Sequence, residues 1–182
     1  MTGLAIVGSV VIAIVLNLFV FQSYYVDGES MSPTLHTDNR LIVSKIERTL
    51  ARLNSTPYIP QRGQIVVLDG SVSPNTVTQA PELIKRVIGI PGDTLTIDNS
   101  VVTIKNNAQA TFNVDKALEL HVDPTYSEGL TVEIPEGKVF VLGDNRTQGG
   151  SLDSRVFGLV DTSLIDGRLW ARIMPFGERR VF

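Results

Sequence analysis

The chain has 182 residues, with 16 Lys and Arg against 19 Asp and Glu, and its formal net charge is −3. Without a long basic run, nucleic acid is not an expected partner. The absence of cysteine excludes a disulfide framework, a thiol nucleophile and a zinc site built on cysteine. The two histidines lack the spacing of a zinc-binding pair, so neither a metal nor another cofactor is expected.

The first predicted element is a membrane anchor within residues 1–23. Residues 4–21, LAIVGSVVIAIVLNLFVF, carry no charge. At a rise of about 1.5 Å per residue, roughly 20 apolar residues cross the hydrocarbon core of a bilayer. Tyr24 and Tyr25 follow at the place of an interfacial aromatic belt. A cleavable export signal is the alternative, but no Lys or Arg precedes the run and no small-x-small site follows it.

The remaining residues, 24–182, predict a mainly β domain. Short apolar runs separated by Gly, Pro, Asn and Asp predict strands at residues 40–46, 64–68, 83–90, 94–97, 101–104, 130–134 and 138–142. Only residues 47–53, ERTLARL, have a helical pattern. Many short strands with frequent turns favour antiparallel sheets. The more polar residues 98–135 predict an inserted cap sub-domain.

Turn residues and reactive side chains coincide in three segments. Residues 26–35, VDGESMSPTL, follow the apolar segment closely. Residues 83–95, LIKRVIGIPGDTL, place Lys85 in an apolar strand, which is unfavourable unless the amine is neutral or paired. Residues 139–158, VFVLGDNRTQGGSLDSRVFG, lead an apolar strand into a charged loop. Taken singly, these could be a linker, a strand with a snorkelling lysine, and a turn held by ion pairs.

The histidines are weak candidates for a catalytic base. His36 lies six residues after Ser30, and His121 lies in the polar stretch. Neither has a carboxylate at an obvious spacing, so both are interpreted as solvated surface residues.

In their order, these segments resemble type I signal peptidases. The motifs are S-M-x-P-T-L at 30–35, R-G-Q-I-V-V-L at 62–68, K-R-V-I-G-x-P-G-D at 85–93, G-D-N-R at 143–146 and S-x-D-S-R at 151–155. The single N-terminal span and the form D-G-E-S-M resemble the Gram-positive branch. The resemblance implies a monomeric, single-pass serine endopeptidase of the cell membrane, with its catalytic domain on the extracytoplasmic side. Such an enzyme removes signal peptides from secretory preproteins after small residues, typically Ala-x-Ala, through an acyl-enzyme.

The resemblance also implies roles for individual residues. Ser30 would be the nucleophile, Lys85 the general base, and Ser151 the hydroxyl that hydrogen-bonds and orients the lysine amine. The charged loop behind the site would be braced by Asp144, Arg146, Asp153 and Arg155. The pockets for small substrate side chains would be lined by Tyr24, Val26, Asp27, Gly28, Met31, Leu35, Leu83 and Ile84.

Elementary acid–base chemistry agrees with a lysine base. A free lysine has a pKa of about 10.4 and is protonated at neutral pH, so it cannot accept a proton from serine. Burial disfavours the ammonium and lowers this pKa. The apolar neighbours of Lys85 in LIKRVI supply such surroundings. Ser/Lys pairs are an attested variant of the catalytic triad.

Two positions depart from the family pattern. Gly28 stands where some relatives carry a serine whose hydroxyl assists the oxyanion, so backbone N–H groups would have to serve here. Four residues, 147–150, separate G-D-N-R from Ser151, where two are usual. Counted forward from G-D-N-R, Gly149 occupies the position of the family's serine. Counted back from L-D-S-R, Ser151 occupies it. Ser151 is preferred because L-D-S-R follows it at the spacing of the family motif.

Two other classes compete with this interpretation. A self-cleaving repressor-type Ser/Lys peptidase is disfavoured by the N-terminal apolar segment and by the lack of a DNA-binding segment. A catalytically inactive, membrane-tethered scaffold is disfavoured because both Ser30 and Lys85 are present.

Overall fold

The computed structural model describes residues 6–8, 20–72, 82–127 and 129–182. The predicted membrane anchor at residues 1–23 therefore lies mostly outside the described residues. Within it, residues 6–8 are helical, and β1 begins at Phe21, the last residue of the uncharged segment. Among the described residues, no helix is long and apolar enough to cross a bilayer.

The described elements are mainly short strands. In chain order the strands are β1 (Phe21–Tyr25), β2 (Arg40–Ser44), β3 (Ile65–Asp69), β4 (Glu82–Gly89), β5 (Thr94–Asp98), β6 (Val101–Lys105), β7 (Thr111–Asn113), β8 (Leu130–Glu133), β9 (Lys138–Leu142), β10 (Val160–Asp161), β11 (Ile165–Met174) and β12 (Arg180–Val181). The helices are α1 (Ile46–Leu53), α2 (Val114–Ala117) and α3 (Ser154–Phe157), with 3-10 turns at Gly70–Val72, Thr162–Leu164 and Phe176–Glu178.

The larger sheet carries Lys85 in β4. Its strand order is β1-β2-β11-β3-β4-β9-β10, with β12 pairing β11, and its neighbouring strands run antiparallel. In the first pair, Phe21 lies opposite Ser44, so β2 returns the chain to the point where β1 began. The predicted mainly antiparallel β architecture is confirmed.

A smaller sheet of order β7-β6-β5-β8 packs against the larger one. Its strands run from Thr94 to Glu133, whereas the predicted sub-domain, 98–135, leaves out most of β5. Apolar side chains of this sheet share one buried cluster with Ile88 of β4 and with Phe140 and Leu142 of β9. The two sheets therefore have a common core beside the end of β9, where the charged loop begins.

The seven strands expected from the sequence correspond to β2–β6, β8 and β9, and α1 to the expected helix, each end within two residues. The sequence prediction missed β11, the longest strand, because Asp166, Gly167 and Arg168 interrupt its apolar character. Burial nevertheless alternates along it, with Ile165, Gly167, Leu169 and Ala171 inward. This alternation is the strand signature that could have revealed it.

We expect Gly167→Ala to destabilise the larger sheet. A Cβ at this position would lie 2.5 Å from the Ser44 carbonyl oxygen and 2.8 Å from Val43 Cγ1, so β2 would have to move. Overpacking of this kind typically lowers the free energy of unfolding by about 1–3 kcal/mol. Gly177→Ala is the matched control, because a Cβ there meets nothing within 4 Å. Equal melting temperatures for the two variants would contradict the close β2–β11 approach.

Candidate active site

Ser30 and Lys85 meet although 55 residues separate them. The Lys85 Nζ lies 2.9 Å from the Ser30 Oγ and donates a second hydrogen bond of 2.7 Å to the Ile84 carbonyl. Lys85 projects from β4, and Ser30 lies in the turn that follows β1. The structure thus brings together the two residues that the sequence analysis assigned as base and nucleophile.

The Lys85 side chain is withdrawn from water. Only 2% of the residue is exposed, and β4 places it opposite the buried Val66 of β3. Burial lowers the pKa of the Lys85 amine from 10.5 to about 8, although the charges of Asp153 and Asp144 act in the opposite direction. A substantial fraction of this amine is therefore neutral slightly above neutral pH, as a proton acceptor requires.

The backbone around Ser30 is fixed from two sides. Met31 and Leu35 are fully buried, and the N–H groups of Thr34 and Leu35 both donate to the Met31 carbonyl at 2.9 Å. On the other side, the N–H of Asn145 donates to the Ser30 carbonyl at 3.1 Å. Ser30 is therefore held between an apolar core and the charged loop.

Two buried ion pairs brace the charged loop. Asp144 accepts from Arg86 Nε at 2.8 Å and from Nη2 at 2.5 Å, which joins the loop to the residue after Lys85. Asp153 accepts from Arg155 at 2.8 and 2.7 Å, and also from the Gly143 N–H at 3.0 Å. Bidentate pairs of this kind fix orientation as well as distance.

Arg146 is held by α2 and the loop that follows it, a contact that the sequence analysis missed. Its guanidinium is completely buried and donates to Asp115 at 3.0 and 2.7 Å and to Thr125 Oγ1 at 2.7 Å. Its Nε donates to the Gly143 carbonyl at 2.9 Å. The partners are 21 and 31 residues away in a polar stretch, so no local pattern connects them with G-D-N-R.

The expected hydrogen bond between Ser151 and Lys85 is not formed in the structure. Ser151 is buried, but its Oγ has no hydrogen-bond partner among the described residues. The side chain lies against Gly143, where an added Cβ would overlap both the Ser151 hydroxyl and the Ser30 carbonyl oxygen. Residues 147–150, two more than the family spacing, form a turn directly before Ser151.

The residues predicted to line the substrate pockets do not all share one environment. Val26, Met31 and Leu35 belong to one buried cluster, against which Tyr24 and Ile84 pack, whereas Leu83 packs against another cluster. Asp27 and Gly28 are exposed. A separate cavity of about 370 Å³ opens beside Ser151, and none of the eight predicted pocket residues lines it.

His36 has an acidic partner that its spacing did not suggest. Its Nδ1 lies 2.9 Å from Glu29 Oε2 and 3.0 Å from Ser32 Oγ, and Ser32 also donates to Glu29 at 2.6 Å. A serine–histidine–acid triad uses one ring nitrogen for the serine and the other for the acid. Here the same nitrogen faces both groups, on the exposed surface, so the geometry does not suit proton relay.

Comparisons with known proteins identify the family of the chain. A family model described as signal peptidase, peptidase S26, matches residues 1–174. A signal peptidase I of Bacillus licheniformis is 35% identical over 181 residues, which cover 97% of this chain and 89% of that protein. Signal peptidase I T of Bacillus subtilis (strain 168) is 36% identical over 183 residues, covering 98% and 86%. The chain belongs to this signal peptidase family of serine endopeptidases.

A crystal structure of a signal peptidase I from Enterococcus faecalis V583 also matches, with 30% sequence identity and a TM-score of 0.44. The match covers 60% of this chain and 96% of that one.

We expect Asp115→Asn to impair both stability and cleavage. The change leaves the buried Arg146 guanidinium without its negative partner, and breaking a buried pair typically costs about 3–5 kcal/mol. Asp98→Asn, at the exposed end of β5, is the control. Thermal unfolding and the rate of peptide cleavage should both distinguish the two variants. Unchanged values for Asp115→Asn would show that α2 does not hold the charged loop.

Proposed function

We propose that this protein is a membrane-held peptidase that removes signal peptides after small residues by a Ser30/Lys85 dyad. The single observation that carries this proposal is the contact of 2.9 Å between the Ser30 hydroxyl and a buried lysine amine whose pKa is depressed. Family membership supports the substrate class, since the named relatives are signal peptidases.

In the proposed reaction, the neutral Lys85 amine takes the proton of the Ser30 hydroxyl while the oxygen attacks the scissile carbonyl carbon. The resulting ammonium gives that proton to the leaving amine, and an acyl-enzyme forms on Ser30. A water molecule, deprotonated by the same amine, then attacks the ester carbon. The bond to the Ser30 oxygen breaks, the ammonium returns its proton to that oxygen, and the acid leaves. The Ile84 carbonyl, rather than a second serine, orients the amine through its hydrogen bond of 2.7 Å.

The developing oxyanion requires a donor near Ser30. The Gly28 N–H already donates to Thr37 Oγ1 at 3.1 Å, so it is not available. No described residue accepts a hydrogen bond from the Ser30 N–H. We assign the oxyanion contact to this backbone N–H, because Gly28 has no side-chain hydroxyl that could donate to the oxyanion.

The open edge of β4 is the proposed binding site for the leader peptide. β9 pairs with β4 only from Arg86 onward, which leaves residues 82–85 without a neighbour on that side among the described strands. An extended peptide added to this edge would point every second side chain toward the same face. Ile84 packs there against the cluster of Val26 and Met31, which leaves little room for substrate side chains. This period of two accounts for a preference for small residues at the first and third positions before the cut.

The apolar segment at residues 4–21 is the proposed anchor. Ser30 lies nine positions after the last residue of this segment, Phe21, which is also the first of the five residues of β1. An extended strand of five residues spans about 17 Å. The nucleophile is thereby placed close to the membrane surface, where a leader peptide leaves the bilayer.

Cleavage of a short Ala-x-Ala peptide in detergent tests the dyad directly. We expect Ser30→Ala to reduce kcat by about 10⁴-fold or more, as loss of a nucleophile does in related mechanisms. Ser32→Ala is the matched control, because Ser32 contacts only Glu29 and His36 among the described side chains and should retain activity. Loss of activity in Ser32→Ala with retention in Ser30→Ala would reverse the assignment. A wild-type protein without cleavage would favour the inactive scaffold.

The pH dependence of kcat/KM tests the state of Lys85. Since the neutral amine is the active form, cleavage should rise with pH through a midpoint of about 8, the pKa to which burial lowers this group. Below the midpoint the rate should fall about tenfold per pH unit, because the neutral fraction falls by that factor. Replacing both His36 and His121 should leave the midpoint in place. A midpoint near 10.5 would contradict the buried base.

A further inference from the structure

The peptide group between Glu29 and Ser30 carries the N–H that is the proposed oxyanion donor. A trans peptide group is planar, and its carbonyl oxygen and its N–H point in opposite directions. Whatever holds the Glu29 carbonyl therefore also directs the Ser30 N–H. Two donors hold this carbonyl: the Ser32 N–H at 3.1 Å and the side-chain Nδ2 of Asn145 at 3.2 Å.

Asn145 contacts both carbonyl groups that flank the Ser30 side chain. Its backbone N–H donates to the Ser30 carbonyl at 3.1 Å, while its Nδ2 donates to the Glu29 carbonyl. The Ser32 N–H belongs to the same turn as Ser30 and moves with it. Of the two donors to the Glu29 carbonyl, only Asn145 lies outside that turn. Asn145 therefore fixes the peptide plane relative to the charged loop.

The Asn145 amide is itself held in one orientation. A carbonyl oxygen only accepts hydrogen bonds, so the amide nitrogen must face Glu29. The Asn145 Oδ1 then accepts from the Thr147 hydroxyl at 2.6 Å. Gly150 lies directly against this amide, because a Cβ at position 150 would be 2.2 Å from Asn145 Oδ1. The turn at residues 147–150 thus provides the space that the amide occupies.

The same part of the charged loop connects Ser30 with the base. Asp144, directly before Asn145, accepts from Arg86 at 2.8 and 2.5 Å. Arg86 is in turn the residue after Lys85 in β4. Two adjacent residues of the loop therefore hold the strand of the base on one side and the backbone of Ser30 on the other.

We propose that Asn145 is a positioning residue for the oxyanion: its side-chain amide holds the Glu29 carbonyl and thereby directs the Ser30 N–H at the developing negative charge. In this role the amide acts through the peptide group rather than by contact with the substrate. A donor stabilises a transition state best when it is already directed at the place where charge develops. The inference rests on the proposed Ser30/Lys85 mechanism and names the group that orients its oxyanion donor.

Cleavage of the Ala-x-Ala peptide by Asn145→Ala tests this role. The change removes the amide but keeps the backbone N–H that binds the Ser30 carbonyl. We expect kcat to fall about 10- to 100-fold with KM near the wild-type value, since complete loss of an oxyanion donor costs about 10²–10³-fold. The pH midpoint should stay at about 8, because the amide carries no charge and Lys85 remains buried.

A peptide aldehyde of the same sequence provides a second readout. The Ser30 oxygen bonds to the aldehyde carbon and the proton passes to the aldehyde oxygen, which gives a hemiacetal with its oxygen at the oxyanion position. The affinity of Asn145→Ala for this aldehyde should fall by a factor similar to the loss in kcat.

Two neighbouring positions supply a second variant and a control. Gly150→Ala displaces the Asn145 amide without removing it, and it should lower kcat while KM and the pH midpoint stay in place. Gln148→Ala is the matched control, because its amide lies in the same turn but donates to the Tyr126 hydroxyl at 3.0 Å. This control should retain kcat and the affinity for the aldehyde.

Either of two results contradicts the positioning role. One is a wild-type kcat and aldehyde affinity in Asn145→Ala. The other is a loss of kcat together with a pH midpoint that moves toward 10.5, because entry of water at Lys85 would then explain the loss. If Asn145→Ala does not fold, Gly150→Ala decides by the same criteria. A wild-type protein that neither cleaves the peptide nor binds the aldehyde would instead contradict the proposed function, so the two failures are distinguishable.

Discussion

The rest of the site depends on keeping the Lys85 amine out of water. A buried ammonium is unfavourable, and its neutral form is the one a serine hydroxyl can use. β4 meets this requirement by placing Lys85 opposite the buried Val66 of β3, where only 2% of Lys85 is exposed and its amine still reaches Ser30. The amine makes two hydrogen bonds, to the Ser30 hydroxyl and to the Ile84 carbonyl, and neither partner carries a negative charge. Burial without an adjoining negative partner accounts for a pKa of the Lys85 amine well below that of a free lysine.

The charged loop beside this amine presents an electrostatic difficulty that its arginines resolve. Asp144 and Asp153 both act to raise the pKa of Lys85, because they favour the ammonium. Each carboxylate has its own bidentate arginine partner, Arg86 or Arg155, at 2.5–2.8 Å. Paired charges have a weak field at a distance, so desolvation outweighs them at Lys85. The loop thus gains rigidity from ionic contacts without restoring the proton on the base.

Local sequence patterns predicted the features that depend only on residues close in the sequence. Apolar runs between turn residues located β2–β6, β8 and β9, and the apolar setting of Lys85 indicated a depressed pKa. Contacts between distant segments were not predictable in this way. Asp115 pairs with Arg146, 31 residues away, and no sequence motif near either residue predicts this ion pair. The position of the Ser151 side chain depends on how the turn at residues 147–150 folds. Comparing the number of residues with the family spacing could not predict this position.

Residue type alone also fails to separate a catalytic serine from its neighbour. Ser32 has a histidine and a carboxylate within 3.0 Å, the set of groups that a triad needs, and Ser30 has only a lysine. By the types of neighbouring group alone, Ser32 would be the better candidate for a nucleophile. Geometry and solvent exposure favour Ser30 instead. Glu29 and His36 are about half exposed, and a single imidazole nitrogen faces both partners, so the contact resembles a surface ion pair. Lys85 is one group rather than two, yet it needs no tautomer to be selected, and the core holds it in place. In the proposed mechanism, burial of Lys85 selects Ser30 over Ser32.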